Sequence, residues 1–307
     1  MTQVAGSLTQ AVTIADAVPR RAMLFAVAAI GTLAISRLPE ILLREGLGIA
    51  IPWLEALPVV LAAFLWLGSR VIPQLRALTG YFAVMTAVST IVAAIPVLFA
   101  SAAWIALAPA ASGEIVVILS ERLVLGALGL AFVAGLVVLG GRDGAKYLRL
   151  RNGRWRSTDI GRPRIRWVYA GPIAIGVLVL LTGLVMAPAL PTDVDLGTAA
   201  PFLVMAVLAA ALNAFWEEAV FRAAPLARLA PVVGAGRALV IVAVWFGLGH
   251  FYGGVPSGMF GAVMVSVVGV VLGKAMVDSR GFAWPWVIHT SIDLTIYTVI
   301  ALAATGS

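Results

Sequence analysis

The chain has 307 residues, of which 62% are hydrophobic and only 11% charged, with a net charge of +7 and a mean hydropathy of +1.06. Soluble domains are far less apolar and more charged, and no water-soluble fold of this length could bury so much apolar surface. The chain has no cysteine, which excludes disulfides, thiolate metal sites and a cysteine nucleophile.

Residues 1–20 are mildly polar and lack the short apolar core and small-residue cleavage site of a signal peptide. They read as an N-terminal cytoplasmic tail. Apolar runs of about 20 residues, the length that crosses a hydrocarbon core, follow at 22–36, 48–68, 81–104, 119–140, 168–190, 198–222, 237–256, 258–278 and 284–303. The expected fold is all-α, a polytopic membrane helical bundle of about eight or nine transmembrane helices. Residues 21–141 form its N-terminal transmembrane part and 167–307 its C-terminal domain. Between them, 142–166 carries Arg142, Lys146, Arg149, Arg151, Arg154, Arg156, Arg162, Arg164 and Arg166 against only Asp143 and Asp159. This basic loop belongs in the cytoplasm, which puts the N-terminus inside as well. Its arginine spacing reads as a solvated or lipid-headgroup face, and the positive charge of a membrane protein is a poor argument for a nucleic-acid partner. No internal repeat is evident, which counts against an inverted-repeat transporter. The alanine- and arginine-rich, cysteine-free composition leans toward a bacterial cytoplasmic membrane.

Ionisable residues inside membrane spans are costly, so each needs a reason. In the N-terminal half, Glu55 and the pair Glu121 and Arg122 lie near span ends or can pair locally, and they read as structural. The C-terminal half holds both histidines of the chain, two adjacent glutamates and an aspartate, all in apolar runs. In Asn213-Ala-Phe-Trp-Glu217-Glu218-Ala-Val-Phe-Arg222, helical spacing puts Glu218 one turn from Arg222 and Asn213 one turn before Glu217. Glu217 lies about 100° round the axis from Glu218. One carboxylate can thus be neutralised by Arg222 while the other is free for proton transfer. Taken alone, the motif also fits a charged helix end at the headgroups. In Trp245-Phe246-Gly-Leu-Gly-His250, Gly247 and Gly249 allow close helix approach, and His250 alone also fits a hydrogen-bonded core residue. In Trp286-Val-Ile-His289-Thr-Ser-Ile-Asp293, the histidine and aspartate share a face as two metal ligands or a simple ion pair. Ser291 falls on another face and is a poor nucleophile candidate.

The ordered set Glu217-Glu218-x-x-x-Arg222, Phe246-x-x-x-His250 and His289-x-x-x-Asp293 resembles the motifs of the CPBP intramembrane proteases. That family includes the type II CAAX prenyl endopeptidases and the bacterial Abi proteins. The resemblance covers roughly residues 198–303. It implies an intramembrane endopeptidase acting on a membrane protein or peptide substrate in the bilayer. Glu217 would activate water with the help of His250, and His289 and Asp293 would face the scissile carbonyl or hold a metal. Glu218 and Arg222 would hold the helix end in shape, with Phe246 and Asn213 in support. Two mechanisms follow from the family: a zinc ion on Glu217, His250, His289 and Asp293, or a metal-free, glutamate-activated water. Asp293 stands where the prenyl endopeptidases carry asparagine, and an ionised aspartate would repel an oxyanion that an amide would stabilise. The alternative functions are a non-catalytic scaffold or immunity protein and a proton-coupled transporter using the same polar cluster. With upright helices, Glu217 and His250 would differ in depth by roughly 15 Å. A working site therefore requires the helices to tilt or shift until the Glu217 carboxyl lies near both imidazole rings.

Overall fold

The computed structural model of the chain describes residues 20–49, 52–107, 114–144, 146–149, 166–194 and 196–303. The tail 1–19 and most of the basic loop, including Arg151, Arg154, Arg156, Asp159, Arg162 and Arg164, lie outside the described residues. Among the described residues there are helices and turns and no strand.

Helix α1 (Arg20–Ile35) is followed by α2 (Leu38–Ile41), which continues as a π-helical turn over Leu42–Gly46. Helix α3 (Leu57–Val71) ends where Ile72 turns extended ahead of Pro73, as the steric demand of a proline on its predecessor requires. There follow α4 (Thr79–Phe99), the short α5 (Ala102–Leu107), α6 (Glu114–Gly144) and α7 (Trp167–Met186). Helix α8 (Leu196–Glu217) runs through a π-helical turn at Glu218–Ala223 into α9 (Ala224–Val233). Gly234, at φ 93°, ends that helix in a conformation only glycine adopts readily. Helices α10 (Ala235–Gly249), α11 (Gly258–Ser279) and α12 (Ala283–Ala303) complete the bundle.

Seven of these helices are long and apolar enough to cross a membrane, or eight when α1 and α2, bent by 54°, count as one span. Val71, Val97, Val138 and Leu139 stand largely exposed. In water such side chains would be a liability, whereas in lipid they are the natural outer surface of helices that satisfy their backbone internally. The chain is an integral membrane protein.

Two of the differences between the expected spans and the structure bear on function. The run at 198–222 does not stop at Arg222: Gly197–Val233 is one continuous helix of 37 residues. Glu217 is therefore near its middle rather than at a headgroup end, and Arg228 lies in α9 rather than in a loop. The π-helical turn has a local cause in Pro225, whose ring would crowd the carbonyl of Phe221 in a regular helix; the widened turn moves that carbonyl aside. The run at 237–256 shrinks to the 15 residues of α10, about 22 Å long and too short to span. Its end at His250 leads into a tight turn over 251–256.

Helix α12 packs on α7 and α8, α8 on α6, and α10 on α11. Small residues carry these contacts: Ala206, Ala209 and Ala210 of α8 and Ala301 of α12 are fully buried together. Gly247 is one such contact, since a Cβ there would meet Ser266 Oγ and the backbone carbonyl of Ala262 on α11. Gly249 faces open space instead. Gly247→Ala should cost about 1–3 kcal/mol by overpacking and lower the thermal midpoint in detergent. Gly135→Ala on α6, where an added Cβ meets nothing, should leave it unchanged. Equal midpoints for both would show that α10 and α11 are not in close contact.

Candidate active site

The local spacings read from the sequence are all made. Arg222 and Glu218 form an ion pair with both side chains essentially out of contact with solvent, at 1% and 0% exposure. Asn213 Nδ2 donates to Glu217 Oε1 at 3.2 Å, one turn along α8. His289 Nε2 and Asp293 Oδ1 lie 3.6 Å apart, one turn along α12.

Packing of α8 on α12 then joins these pairs into one network. His289 Nδ1 meets Glu218 Oε1 at 2.8 Å. An ionised carboxylate can only accept, so Nδ1 carries a proton, and Nε2 is left to face the other two carboxyl groups. That nitrogen lies 3.6 Å from Glu217 Oε2 as well as from Asp293 Oδ1. Both separations are too long for a hydrogen bond, so Nε2 faces two carboxylates without bonding either directly. Asn213 Nδ2 also donates to Asp293 Oδ2 at 2.9 Å, so one amide bridges two carboxylates. Trp286, on the turn before His289, donates Nε1–H to the carbonyl of Ala211 at 2.9 Å and pins α12 against α8 at this level.

Phe246 links this network to the second histidine. Its ring centroid is 4.7 Å from that of His250, 6.3 Å from that of His289 and 4.8 Å from Arg222 Cζ. Arg222 is thus held between the Glu218 carboxylate and an aromatic face. His250 Nδ1 donates to the Phe246 carbonyl at 3.0 Å, and Gly254 in the following turn crowds the other side of the ring. A cavity of about 280 Å³ collects these groups: Asn213, Glu217, Phe246, His250, His289 and Asp293 all line it. The remaining wall is mostly aliphatic, from Ile118, Val185, Met264, Val268, Ile292 and Ile300.

The expected closure of the site is therefore met in part. Glu217 reaches the His289 ring. His250 shares the cavity but forms no ion pair with a carboxylate among the described residues, and Phe246 contacts both imidazoles. Glu217 lies mid-helix, and it and His250 line the same cavity. Ser291 is spent on a hydrogen bond to the Val287 carbonyl at 2.9 Å and does not line the cavity.

Zinc sites take four tetrahedral ligands, or three and a water. Among the described residues no group of three or more His, Asp and Glu side chains is arranged to hold a metal ion. Asn213 engages one oxygen each of Glu217 and Asp293, and hydrogen bonds at Nδ1 leave the Nε2 atoms of both histidines toward the cavity side chains.

Two wall residues escaped the sequence reading. Arg122 of α6, assigned there to a local pair, lines the cavity and donates Nε–H to the Tyr297 hydroxyl at 3.0 Å. Tyr297 could have been found by its position, since His289, Asp293 and Tyr297 recur at four-residue intervals on one helix face. No spacing rule connects α6 to α12, so nothing local pointed to Arg122.

Residues 199–295 match the family model described as type II CAAX prenyl endopeptidase Rce1-like. The matched segment holds every cavity residue named above from Asn213 to Asp293 and leaves out Arg122 and Tyr297. No curated protein and no solved structure matches the chain.

Proposed function

We propose, from the match of residues 199–295 to the type II CAAX prenyl endopeptidase Rce1-like family model, an intramembrane endopeptidase in which Glu217 and His289 activate a water molecule. The observation that carries this reading is the position of His289. Its Nδ1 is held by the buried Glu218, and its Nε2 lies 3.6 Å from Glu217 Oε2 at the wall of a cavity whose remaining lining is largely aliphatic.

In this reading a water in the cavity, within reach of Glu217 Oε2 and His289 Nε2, gives its proton to Glu217 as its oxygen attacks the scissile carbonyl. The C–O bond forms, the carbonyl π electrons move to oxygen, and collapse of the adduct breaks the C–N bond. The leaving nitrogen takes the proton from Glu217. His250, when protonated on both nitrogens, spends Nδ1–H on the Phe246 carbonyl and keeps Nε2–H for the developing oxyanion. Glu218, Arg222 and Asn213 are positioning residues. Asp293 joins them in this role: its bond from Asn213 and its place beside His289 suit orientation of the imidazole better than contact with an oxyanion. No step passes through a metal ion.

The substrate is a peptide segment that enters from the bilayer, where the largely aliphatic wall matches apolar side chains. The excess of basic residues in 142–166 orients that loop toward the cytoplasm and, with the bent α1–α2 pair counted as one span, the N-terminus as well. The test is cleavage of a pool of apolar peptides by purified protein in liposomes, wild type against His289→Gln, with metal analysis of the same samples. Cleavage by wild type that falls about 100-fold or more in the variant, without a stoichiometric metal, supports the reading. Cleavage that follows metal content would replace the glutamate-activated water with a metal-bound one. Absence of cleavage, with proton flux or partner capture retained, would favour the relay or scaffold alternatives.

A further inference from the structure

The turn over 251–256 forms part of the cavity wall through Gly254, Val255 and Pro256, and it also touches the His250 ring. One edge of that ring is tied by the Nδ1 bond to the Phe246 carbonyl. The other edge lies against Gly254, where a Cβ added at φ 103° would stand 2.8 Å from His250 Cδ2. The far end of the turn is butted against α11. Gly258 N donates to the Phe251 carbonyl at 2.8 Å, and a Cβ on Gly261 would strike the Pro256 carbonyl. The middle of the turn is held from a distant part of the chain. Tyr252 meets the π-helical turn that continues α2: its hydroxyl donates to the Glu45 carboxylate, and Arg44 Cζ lies 5.9 Å from its ring centroid. Arg44 is steadied in turn by Glu40 of α2, whose Oε1 is 3.2 Å from Arg44 Nη1. Glu40 is buried and pairs with Arg37 as well.

We propose that Arg44 and Glu45 clasp Tyr252 and so hold the turn 251–256 where it keeps the His250 ring directed into the cavity. All three are positioning residues, and His250 remains the group that meets the oxyanion. The clasp rests on the endopeptidase reading for its effect on cleavage, though not for its effect on the ring. Gly253 alone separates Tyr252 from Gly254, and two successive glycines give the turn little stiffness of its own. An outside tie is therefore what fixes it. Released at Tyr252, Gly254 withdraws from the imidazole, which then keeps a single tether at Nδ1 and turns about it. Nε2 leaves its line by that rotation. A donor serves an oxyanion only when it is aimed before the charge appears, and the residues packed behind it supply the aim. Arg44 and Glu45 lie far outside the segment 199–295 that matches the family. The N-terminal part of the chain thereby completes a site otherwise built largely by the C-terminal half.

The chain has only two histidines, so full-length protein carrying isotope-labelled histidine gives two imidazole signals by NMR, and His250→Gln identifies which is which. The variants are Tyr252→Leu, the double Arg44→Met/Glu45→Gln, and Arg44→Lys. The His250 signal should move or broaden in the first two while that of His289 stays. Arg44→Lys keeps a cation over the ring and opposite Glu40, and should stay close to wild type. In cleavage of the apolar peptide pool, Tyr252→Leu should lower kcat about tenfold with KM kept, a fraction of the roughly 10²–10³-fold that loss of an oxyanion donor costs. In a His250→Gln background the same substitution should cost nothing further, because its effect runs through that ring. Should these variants fail to fold, Tyr252→Phe, which loses only the hydroxyl bond, must still move the His250 signal. A His250 signal indifferent to the variants at Tyr252, Arg44 and Glu45, or an equal loss of kcat with and without His250, overturns the proposal. A displaced His250 signal in a protein that cleaves nothing would keep the clasp and overturn the protease reading, whereas cleavage with an unmoved signal would do the reverse.

Discussion

Glu217→Gln is expected to lower peptide cleavage by about 10²–10⁴-fold, the usual contribution of a general base, with no loss of thermal stability. Glutamine keeps the shape of the side chain and can still accept the Asn213 amide bond at Oε1. It cannot take a proton from water. The Glu217 side chain is 17% exposed, and the close ion pair of the buried Arg222 is with Glu218, which the substitution leaves in place. The adjacent carboxylate makes the control. Glu218→Gln keeps an acceptor for His289 Nδ1, so that a smaller loss of activity is expected there, accompanied by a loss of stability because Arg222 loses its counter-charge. The pattern to measure is thus activity without stability at 217 and stability before activity at 218. Retained cleavage in Glu217→Gln protein would remove Glu217 from the reaction.

Arg222→Met is expected to destabilise the folded protein by about 3–5 kcal/mol, the cost of stranding one partner of a buried ion pair. Methionine fills much of the volume, so the loss is electrostatic rather than a cavity. Glu218 is fully buried and would keep only the His289 bond. The double variant Arg222→Met/Glu218→Gln, which removes both charges, should recover a large part of that loss, and the cycle isolates the pair from its surroundings. Thermal unfolding in detergent, followed by tryptophan fluorescence, reads all four proteins. A single variant as stable as wild type would mean that the charge of Glu218 is balanced elsewhere.

The membrane class of the chain was determined by composition alone, because 62% apolar residues admit no aqueous fold of this size. Helical spacing likewise determined Glu218 with Arg222, Asn213 with Glu217 and His289 with Asp293, since residues four apart meet on any helix whatever surrounds it. Each of the three motifs was legible for that reason, and their order carried the family resemblance. Only the tertiary structure decided which pair meets which. The His289–Glu218 bond spans 71 residues, Asn213–Asp293 spans 80 and Arg122–Tyr297 spans 175. Periodicity fixes an angle round a helix axis and says nothing about the axial offset or tilt between two helices. The error in the depth of Glu217 has the same origin. Hydropathy marks where a run becomes polar, and Arg222 reads as such a boundary. In the fold Arg222 is matched by Glu218 and covered by Phe246, so the helix continues through it as if it were apolar. A buried charge that has found its partner no longer marks the edge of a membrane, and only packing reveals that it has one.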